Sequence, residues 1–273
     1  MTTTIPLPRS DEALVASLAE LRTTAPASVG DGALVEAGLA DRYASIETPL
    51  GPVFVAWNGR GVSWVSRAGD REDFELRFRV TVGREIHAAD ALPKGLASAI
   101  SRRLDGDRRV RIPLDLRGHT PFEVAVWTKA LEIPRGEVRP YGWIAAEIGK
   151  PKAVRAVGTA LAHNPVPLVV PCHRVVRSDG MIGQYSLGGP HNKRRILAGE
   201  GADPDGLESL ARAGIRYFGS DTTHIYCLPT CRDARRVTER HLVRFPSAGA
   251  ASAAGYRPCL HCRPLGAGAT AVA

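Results

Sequence analysis

Several features common in other classes of protein are missing from this sequence. No run of apolar residues approaches the ~18 that a membrane-spanning helix needs. Residues 1–22 lack the basic segment and apolar core of a signal peptide, and no cysteine precedes Cys172. With 44% hydrophobic residues, the composition also excludes a wholly disordered chain, a collagen-like fibre and a coiled coil. We therefore expect a soluble, cytoplasmic protein that makes no membrane contact.

Net charge is absent from the first part of the 273-residue chain. Residues 1–119 carry 16 basic and 16 acidic side chains, whereas residues 120–200 and 206–273 each carry a net +5. The whole chain has a net charge of +8. A basic half beside a neutral one suggests a polyanionic partner, although a solvated basic surface would give the same count. From its length we expect about two to two and a half domains.

The first 119 residues predict an α+β unit without reactive side chains. Residues 11–22 have a helical pattern, and a linker of small residues follows up to about residue 40. Short segments rich in β-branched and aromatic residues, broken by glycine, predict strands. The predicted strands are Tyr43–Thr48, Val53–Asn58, Gly61–Ser66 and Val110–Leu114. A helix is predicted at Leu96–Leu104, before the last of them.

From Thr120 the pattern becomes helical. Thr120-Pro121-Phe122-Glu123 is a capping box with proline at the first helical position, so we expect a helix to begin there with Val124, Trp127 and Leu131 on its buried face. Two further short helices, at residues 142–148 and 152–163, are joined by a turn that contains Gly149. This spacing is typical of a helix-turn-helix.

The last of these helices has two distinct faces. Val154, Val157 and Leu161 form its predicted core stripe, and Arg155 lies on the opposite side with the small residues Ala156 and Ala160 beside it. Small side chains next to an arginine would let the backbone approach a nucleic-acid groove. An ordinary amphipathic helix with a hydrated polar face is the alternative.

The five cysteines fall into two groups. Cys227, Cys231, Cys259 and Cys262 have the spacing C-x3-C-x27-C-x2-C, two close pairs that could fold onto one metal ion. Without an export signal we expect reduced thiols, and a tetrahedral zinc site is the natural reading, with disulfides or free thiols as alternatives. Cys172 stands alone, next to the cations His173 and Arg174, which favour a reactive thiolate. A buried, inert cysteine is the alternative there.

A set of motifs occurs in order between residues 133 and 186. They are Ile133-Pro134-Arg135-Gly136, Tyr141, Arg155-Ala156-Val157-Gly158, Asn164-Pro165, Pro171-Cys172-His173-Arg174-Val175 and Gly183-x-Tyr185-Ser186. Together they closely resemble the O6-alkylguanine-DNA alkyltransferase family, over roughly residues 43–200. The resemblance implies DNA repair by irreversible, single-turnover transfer of an alkyl group from guanine O6 to the protein. It also implies an α+β fold with a ribonuclease-H-like subdomain at residues 41–119 and a helical, winged helix-turn-helix-like catalytic domain at residues 120–202.

The resemblance assigns a catalytic role to five residues. Cys172 is the expected alkyl acceptor, and His173 is the base that generates its thiolate through a water molecule. Glu200 orients His173, and Asn164 helps to hold this network. Tyr141 is expected to protonate the guanine leaving group.

The resemblance also implies how the chain would engage its partner, double-stranded DNA that carries alkylated bases. Arg155 would enter the duplex in place of the flipped nucleotide, and Ser186, next to Tyr185, would line the base pocket. Arg174 is also expected among the DNA contacts. We expect the protein to act as a monomer.

The C-terminal cysteines lie in a second set of motifs. Thr222-Thr223-x-Ile225-Tyr226-Cys227-x-Pro229-x-Cys231 and Ala253-x-Gly255-Tyr256-Arg257-Pro258-Cys259-x-x-Cys262-x-Pro264 resemble the Ada-type zinc domain, which we expect within residues 203–273. The resemblance implies that Cys227, Cys231, Cys259 and Cys262 bind one Zn²⁺. It also implies that Cys227 accepts a second methyl group, from a methylphosphotriester of the DNA backbone. A purely structural zinc is the alternative, which the apolar Leu228 and the pair Leu260-His261 favour because the family often has basic residues there.

Two other functions compete with repair. One is a catalytically inactive sensor of alkylated DNA, and the other is a damage-responsive transcription regulator. The sensor would lack the cysteine of the Pro-Cys-His-Arg motif, which this sequence retains. We also expect removal of zinc to unfold roughly residues 210–265 and to leave the guanine reaction intact, because the Cys172 domain has its own core.

Overall fold

The computed structural model of the chain describes residues 27–264 and shows a mixed α+β fold. Over this range the helices are α1 (Ala27–Ala37), α2 (Arg71–Val82), α3 (Lys94–Leu104), α4 (Pro121–Ala130), α5 (Tyr141–Glu147), α6 (Val154–Ala162), α7 (Gly189–Gly199), α8 (Pro204–Arg212) and α9 (Ala248–Ala253). The strands are β1 (Ala40–Ile46), β2 (Val53–Asn58), β3 (Gly61–Ser66), β4 (Glu85–Ala88), β5 (Arg139–Pro140), β6 (Val175–Val176), β7 (Tyr217–Ser220), β8 (Ile225–Cys227), β9 (Leu242–Phe245) and β10 (Arg257–Pro258). The helix predicted at residues 11–22 lies outside the described residues.

The N-terminal unit is a four-stranded sheet in the order β3-β2-β1-β4. β1 pairs antiparallel with β2 and parallel with β4, and β2 and β3 form an antiparallel hairpin. An aromatic cluster packs α2 against one face of the sheet, with Phe74 and Phe78 of α2 against Tyr43 and Trp64. The predicted bounds of β2 and β3 agree with the structure, because glycine and proline punctuate both strands clearly.

Two predictions for this unit are wrong. The segment expected to be a linker contains α1, in which Val35 is buried. The helix comes so close to Gly59 that a Cβ there would lie only 2.2 Å from the Glu36 carbonyl oxygen. This helix is therefore stabilised by docking onto the β2–β3 turn, which the local sequence does not reveal. The predicted strand Val110–Leu114 is reduced to a bridge between Leu114 and Val62, because Pro113 has no N–H to donate to a ladder.

The helical unit begins at the predicted capping box. The Thr120 side chain accepts a hydrogen bond from the Glu123 N–H, and the Glu123 carboxylate accepts one from the Thr120 N–H. Trp127 of α4 is fully buried and its indole N–H donates to the Ala160 carbonyl of α6, at 2.8 Å. Ala160 is accordingly buried, and it does not lie on the exposed face with Arg155 as predicted. Val124 and Leu131 are only partly buried.

One hydrophobic core joins the sheet to the helical unit. It includes Val55 and Val65 from the strands, Trp127 from α4, Val157 from α6, and Cys172. The apolar segment at residues 166–171 runs through this core and delivers Cys172 to its edge. The site residues are therefore fixed by a core that both units build.

The C-terminal part forms a second four-stranded sheet in the order β10-β8-β7-β9. Strands β8 and β10 run parallel, which places Cys227 at the end of β8 near Cys259, the residue after β10. Along the described part of the chain, no helix is both long and apolar enough to cross a membrane.

Candidate active site and metal centre

Cys172 opens a short 3₁₀ turn that ends at Arg174 and leads directly into β6. β6 pairs in parallel with β5, and α5 begins immediately after β5. Tyr141, the first residue of α5, packs against the core cluster that contains Cys172. The thiol is buried, with Cys172 only 6% exposed.

Polar and charged groups surround the buried thiol. The Asn164 side-chain N–H₂ donates to Cys172 Sγ and to the Val170 carbonyl, each at 3.2 Å. Burial raises the pKa of the Cys172 thiol, whereas the hydrogen bond from Asn164, the charge of Lys193 and a hydrogen bond from Ser186 act in the opposite direction. The thiolate therefore has dedicated partners in an otherwise apolar place.

His173 and Glu200 form the next layer of the site. His173 Nε2 lies 3.0 Å from Glu200 Oε1, and Arg174 donates to both oxygens of the same carboxylate. Burial raises the pKa of Glu200, but the bonds from His173 and Arg174 outweigh it and bring the value down to about 2. Burial also lowers the pKa of His173. His173 Nδ1 is buried and has no hydrogen-bond partner among the described residues. A neutral imidazole here has one ring nitrogen held by a carboxylate and the other available to take a proton.

Lys193 is a site residue that the sequence analysis missed. It is fully buried on α7, where its ammonium donates to the carbonyls of Val175 (2.5 Å) and Gln184 (3.2 Å). Its Nζ lies 6.0 Å from the centre of the Tyr141 ring, and burial lowers its pKa to about 8. Lys193 precedes Ile196 by three positions and Leu197 by four, so all three lie on one face of a helix. This helical spacing is the signal from which the inward orientation of Lys193 could have been predicted.

The remaining predicted residues divide between the surface and the interior. Arg155 on α6 and Ser186 are exposed, and Tyr141 is partly buried. Tyr185 is buried, with its ring 6.0 Å from that of His173 in an edge-on arrangement.

Arg174, which we expected to contact DNA, is also buried. All its guanidinium nitrogens are engaged, since Nη1 donates to the Ile133 carbonyl and the other two bond Glu200. In the structure this arginine holds the site together from inside, with each of its three nitrogens bonded within the protein.

The four C-terminal cysteines converge on one point. Their Sγ atoms all lie within 4.8 Å of one another and are buried, and all five cysteines of the chain are unpaired. Zinc–thiolate bonds of about 2.3 Å in a tetrahedron require sulfurs about 3.8 Å apart. The Leu228 N–H points to Cys262 Sγ and the His261 N–H to Cys259 Sγ, each at 3.4 Å. These amide donors suit negatively charged sulfurs, so the residues fit a Cys₄ zinc ion.

A cavity of about 550 Å³ opens beside this cluster. Cys227 and Cys259 line it, whereas Cys231 and Cys262 are fully buried. Arg236, Arg257 and Asp233 also contribute to its walls. Cys227 and Cys259 are therefore the two cysteines of the cluster that border this cavity.

The two apolar departures in the zinc motifs have different surroundings. Leu228 is buried with the cysteine cluster and lines a cleft that also contains Val138 and Val176 of the helical unit. Leu260 is 83% exposed at the edge of the 550 Å³ cavity. Leu228 therefore serves packing between the two parts of the chain, while nothing in the structure explains Leu260.

Comparisons with known proteins find two family models and many relatives. Residues 121–202 match the DNA binding domain of 6-O-methylguanine DNA methyltransferase, and residues 211–264 match the metal binding domain of Ada. The methylated-DNA–protein-cysteine methyltransferase of Mycobacterium tuberculosis (strain ATCC 25618 / H37Rv) is 36% identical over 156 residues, which covers 57% of this chain and 89% of that protein.

Two further similarities have different coverage. The bifunctional transcriptional activator/DNA repair enzyme Ada of Escherichia coli (strain K12) is 37% identical over 156 residues, 55% of this chain and 43% of that protein. The crystal structure of Mycobacterium tuberculosis OGT in complex with DNA matches at 32% identity and a TM-score of 0.47, covering 61% of this chain and 98% of that one.

Proposed function

Because the chain belongs to the methylated-DNA–protein-cysteine methyltransferase family, whose members repair O6-alkylguanine in DNA by alkylating one of their own cysteines, we propose that Cys172 is the acceptor. The observation that carries this assignment is the hydrogen bond from the Asn164 amide to the buried Cys172 thiol, which the charge of Lys193 also favours as a thiolate. The C-terminal part is an Ada-type zinc-binding domain with four cysteines placed to bind one zinc ion. The protein is thus a DNA-repair methyltransferase, and each molecule carries out the reaction once.

The site suits displacement at an alkyl carbon. The Cys172 proton passes through a water molecule to His173 Nδ1, and the Glu200 carboxylate stabilises the resulting imidazolium. The thiolate then attacks the alkyl carbon, an S–C bond forms, the C–O6 bond breaks, and its electron pair leaves with guanine. Tyr141 supplies the proton that the leaving guanine takes up, and solvent restores the proton balance of the site. Burial, and then the neighbouring Cys172, raise the pKa of Tyr141, so its hydroxyl holds a proton to donate.

The product explains why each molecule acts once. A thioether is a stable, uncharged end state, and no group in the described site is a reductant or nucleophile placed to remove the alkyl group. The enzyme is therefore consumed by its own reaction.

Recognition of DNA falls to the helical unit. We propose that its helix-turn-helix, of winged type, approaches double-stranded DNA with α6 and that the ribonuclease-H-like N-terminal unit supports it. The exposed Arg155 would fill the space left by a flipped nucleotide, and the exposed Ser186 would line the pocket for the base. The net +5 of residues 120–200 favours contact with phosphates. We propose domain boundaries at residues 41–119, 120–202 and 203–273, after an N-terminal segment of residues 1–40, and a monomer acting in the cytoplasm.

Peptide mapping after incubation with methyl-labelled DNA tests the acceptor. We expect the label on the peptide that contains Cys172, at a stoichiometry of about one methyl per chain when O6-methylguanine is the lesion. Label on any other residue, or none, contradicts the assignment. A sensor that only binds alkylated DNA would bind the same duplex and take no label.

Cys227 is the proposed acceptor for a methylphosphotriester of the DNA backbone. Its support is the cavity beside it, with Arg236 and Arg257 in the walls. The Cys172→Ala variant should still take one methyl group from methylphosphotriester DNA, mapped to Cys227. Transfer to Cys259, which lines the same cavity, would reassign the acceptor. If the zinc is purely structural, this variant takes no methyl group.

A further inference from the structure

The zinc domain packs on residues 136–143, which span the end of the α4–α5 link and the first turn of α5. Two separate parts of the cysteine cluster make these contacts. One is the stretch from Thr230 to Arg235, around Cys231, and the other is Cys262 with the residue that follows it.

The first contact lies upstream of Tyr141. Thr230, in the turn between two zinc ligands, accepts a hydrogen bond from the Val138 N–H at 2.9 Å. The Arg232 N–H donates to the buried Glu137 carboxylate at 3.2 Å, and the Arg235 guanidinium donates to the Gly136 carbonyl. The zinc domain thus bonds three successive residues of the segment.

Gly136 connects this contact to the active site. Its N–H lies 3.5 Å from Glu200 Oε2, on the carboxylate that holds His173. At a φ of 74° a side chain is strained here, and a Cβ would also lie 2.7 Å from the Glu200 carbonyl and 3.5 Å from Arg235. The backbone is therefore confined between Glu200 on one side and the zinc domain on the other.

The second contact lies downstream of Tyr141, on the same short helix. The buried Trp143 indole N–H donates to the carbonyl of Cys262, a zinc ligand, at 3.0 Å. The Arg263 guanidinium lies 5.6 Å from the centre of the Trp143 ring and pairs with Glu147 at 2.8 Å. α5 is seven residues long, so both of its ends are close to this anchor.

From these contacts we propose that the zinc domain positions Tyr141 and Glu200 for the reaction at Cys172, through Trp143 on one side and Gly136 on the other. The inference rests on the acceptor role proposed for Cys172. It replaces the expectation that the guanine reaction is independent of zinc. A Cys₄ cluster without its metal has no fixed geometry, so loss of zinc releases both anchors, and small displacements of reacting groups slow reactions strongly.

The first experiment compares the full-length protein with zinc and after chelation. The substrate is free O6-benzylguanine, which needs no DNA binding, and mass spectrometry measures benzyl transfer to Cys172. We expect the rate to fall at least tenfold without zinc. The reaction of Cys172 with iodoacetamide uses the thiolate, which Glu200 supports through His173, but not the proton donor Tyr141. It should therefore also slow, but by less than threefold. Equal benzyl transfer in the two states, or equal slowing with both reagents, overturns the proposal.

A pair of matched variants separates positioning from general stability. Trp143→Phe removes the N–H that reaches Cys262, and Trp127→Phe removes an equally buried N–H that reaches Ala160 inside the helical unit. With one zinc bound per chain, Trp143→Phe should transfer benzyl about fivefold more slowly and lose most of its response to chelation. Trp127→Phe should keep the full response. If the two variants respond alike to chelation, Trp143 does not transmit the effect and the proposal fails.

The outcomes also distinguish this inference from the function it rests on. If the zinc-loaded wild-type protein does not benzylate Cys172, the acceptor assignment is wrong. If it does so at the same rate without zinc, the acceptor assignment stands and the positioning role is wrong.

Discussion

Arg174 bonds both carboxylate oxygens of Glu200, with Nε at 2.8 Å and Nη2 at 2.6 Å. Both groups are largely shielded from solvent, with 6% and 8% of their side chains exposed. The same carboxylate contacts His173. One buried anion is therefore shared by a permanent cation, Arg174, and by a histidine that becomes a cation when it is protonated. Arg174 neutralises Glu200 permanently, which leaves His173 free to stay neutral until it takes the proton from Cys172.

Glu200→Gln should destabilise the protein in a pH-dependent way. The pKa of Glu200 is about 2 in the folded protein, below its ordinary value of 4.5. Its stabilising contribution is therefore complete above about pH 4.5 and is lost as the pH falls towards 2. We expect a loss of roughly 3 kcal/mol at pH 7 because Arg174 is left buried without its counter-ion, and a clearly smaller loss at pH 3.

Urea unfolding at the two pH values measures this difference. Glu239→Gln is the control, since Glu239 pairs with Arg244 while 74% of its side chain is exposed, and exposed pairs contribute under about 1 kcal/mol. A loss for Glu200→Gln that is the same at pH 7 and pH 3 would show that Glu200 is not ionised in the way described.

Lys193→Met should raise the pKa of the Cys172 thiol. The charge of the buried Lys193 lowers the pKa of Cys172, and its own pKa is about 8, so it is mostly charged at pH 7. Removing the charge makes the thiolate less favourable. An increase of one pKa unit reduces the thiolate fraction at pH 7 about tenfold.

The rate of iodoacetamide reaction at Cys172, followed against pH, measures this shift. Lys150→Met is the matched control because Lys150 is exposed in the helix-turn-helix turn. An unchanged pH profile for Lys193→Met would mean that its ammonium serves only the carbonyls of Val175 and Gln184.

Arg155→Ala should separate base flipping from chemistry. If Arg155 occupies the duplex after the nucleotide leaves, the variant reacts slowly with double-stranded substrate and almost normally with free O6-benzylguanine. The side chain is exposed on α6, so its loss should not disturb the core. Equal losses on both substrates would point to damage to the fold or the pocket.

Cys172→Ala should abolish transfer from O6-methylguanine and preserve DNA binding. Only a thiolate at this position can take the methyl group, and the basic residues that face solvent are elsewhere. Label transfer and binding to the same duplex are measured in parallel. Any transfer from guanine by the variant would place the acceptor at another residue.

The sequence predicted those parts of the fold that short local signals specify. The Thr120 capping box and the glycine-bounded β2 and β3 are of this kind, since their hydrogen bonds and turns lie within a few residues. Helix α2 was not predicted. Only Phe74 and Phe78 of its twelve residues are buried, so among its many charged residues the sequence shows no clear apolar periodicity. Its position depends on aromatic partners from distant strands.

The candidate site shows the same division. The family resemblance predicted a network of Cys172, His173, Asn164 and Glu200. In the structure Asn164 bonds the Cys172 thiol, and His173 lies against Glu200. The motif gave no indication that Arg174 faces inward or that Lys193 is buried where its charge acts on the thiol, because both depend on how α7 and residues 172–174 pack. The contact of Trp143 with Cys262 spans 119 residues, and no local pattern encodes it.

Asp233 lies in the wall of the cavity beside Cys227, and its negative charge affects which phosphate groups can enter that cavity. Its Oδ2 lies 3.6 Å from Cys259 Sγ, and four thiolates on one Zn²⁺ already carry a net charge of −2. An ordinary phosphodiester is an anion and is repelled from such a place, whereas a methylphosphotriester is neutral. If Cys227 is the second acceptor, the cavity therefore selects phosphates by charge. The anionic phosphodiesters of undamaged DNA stay near Arg236 and Arg257, and only the neutral methylphosphotriester reaches the sulfur.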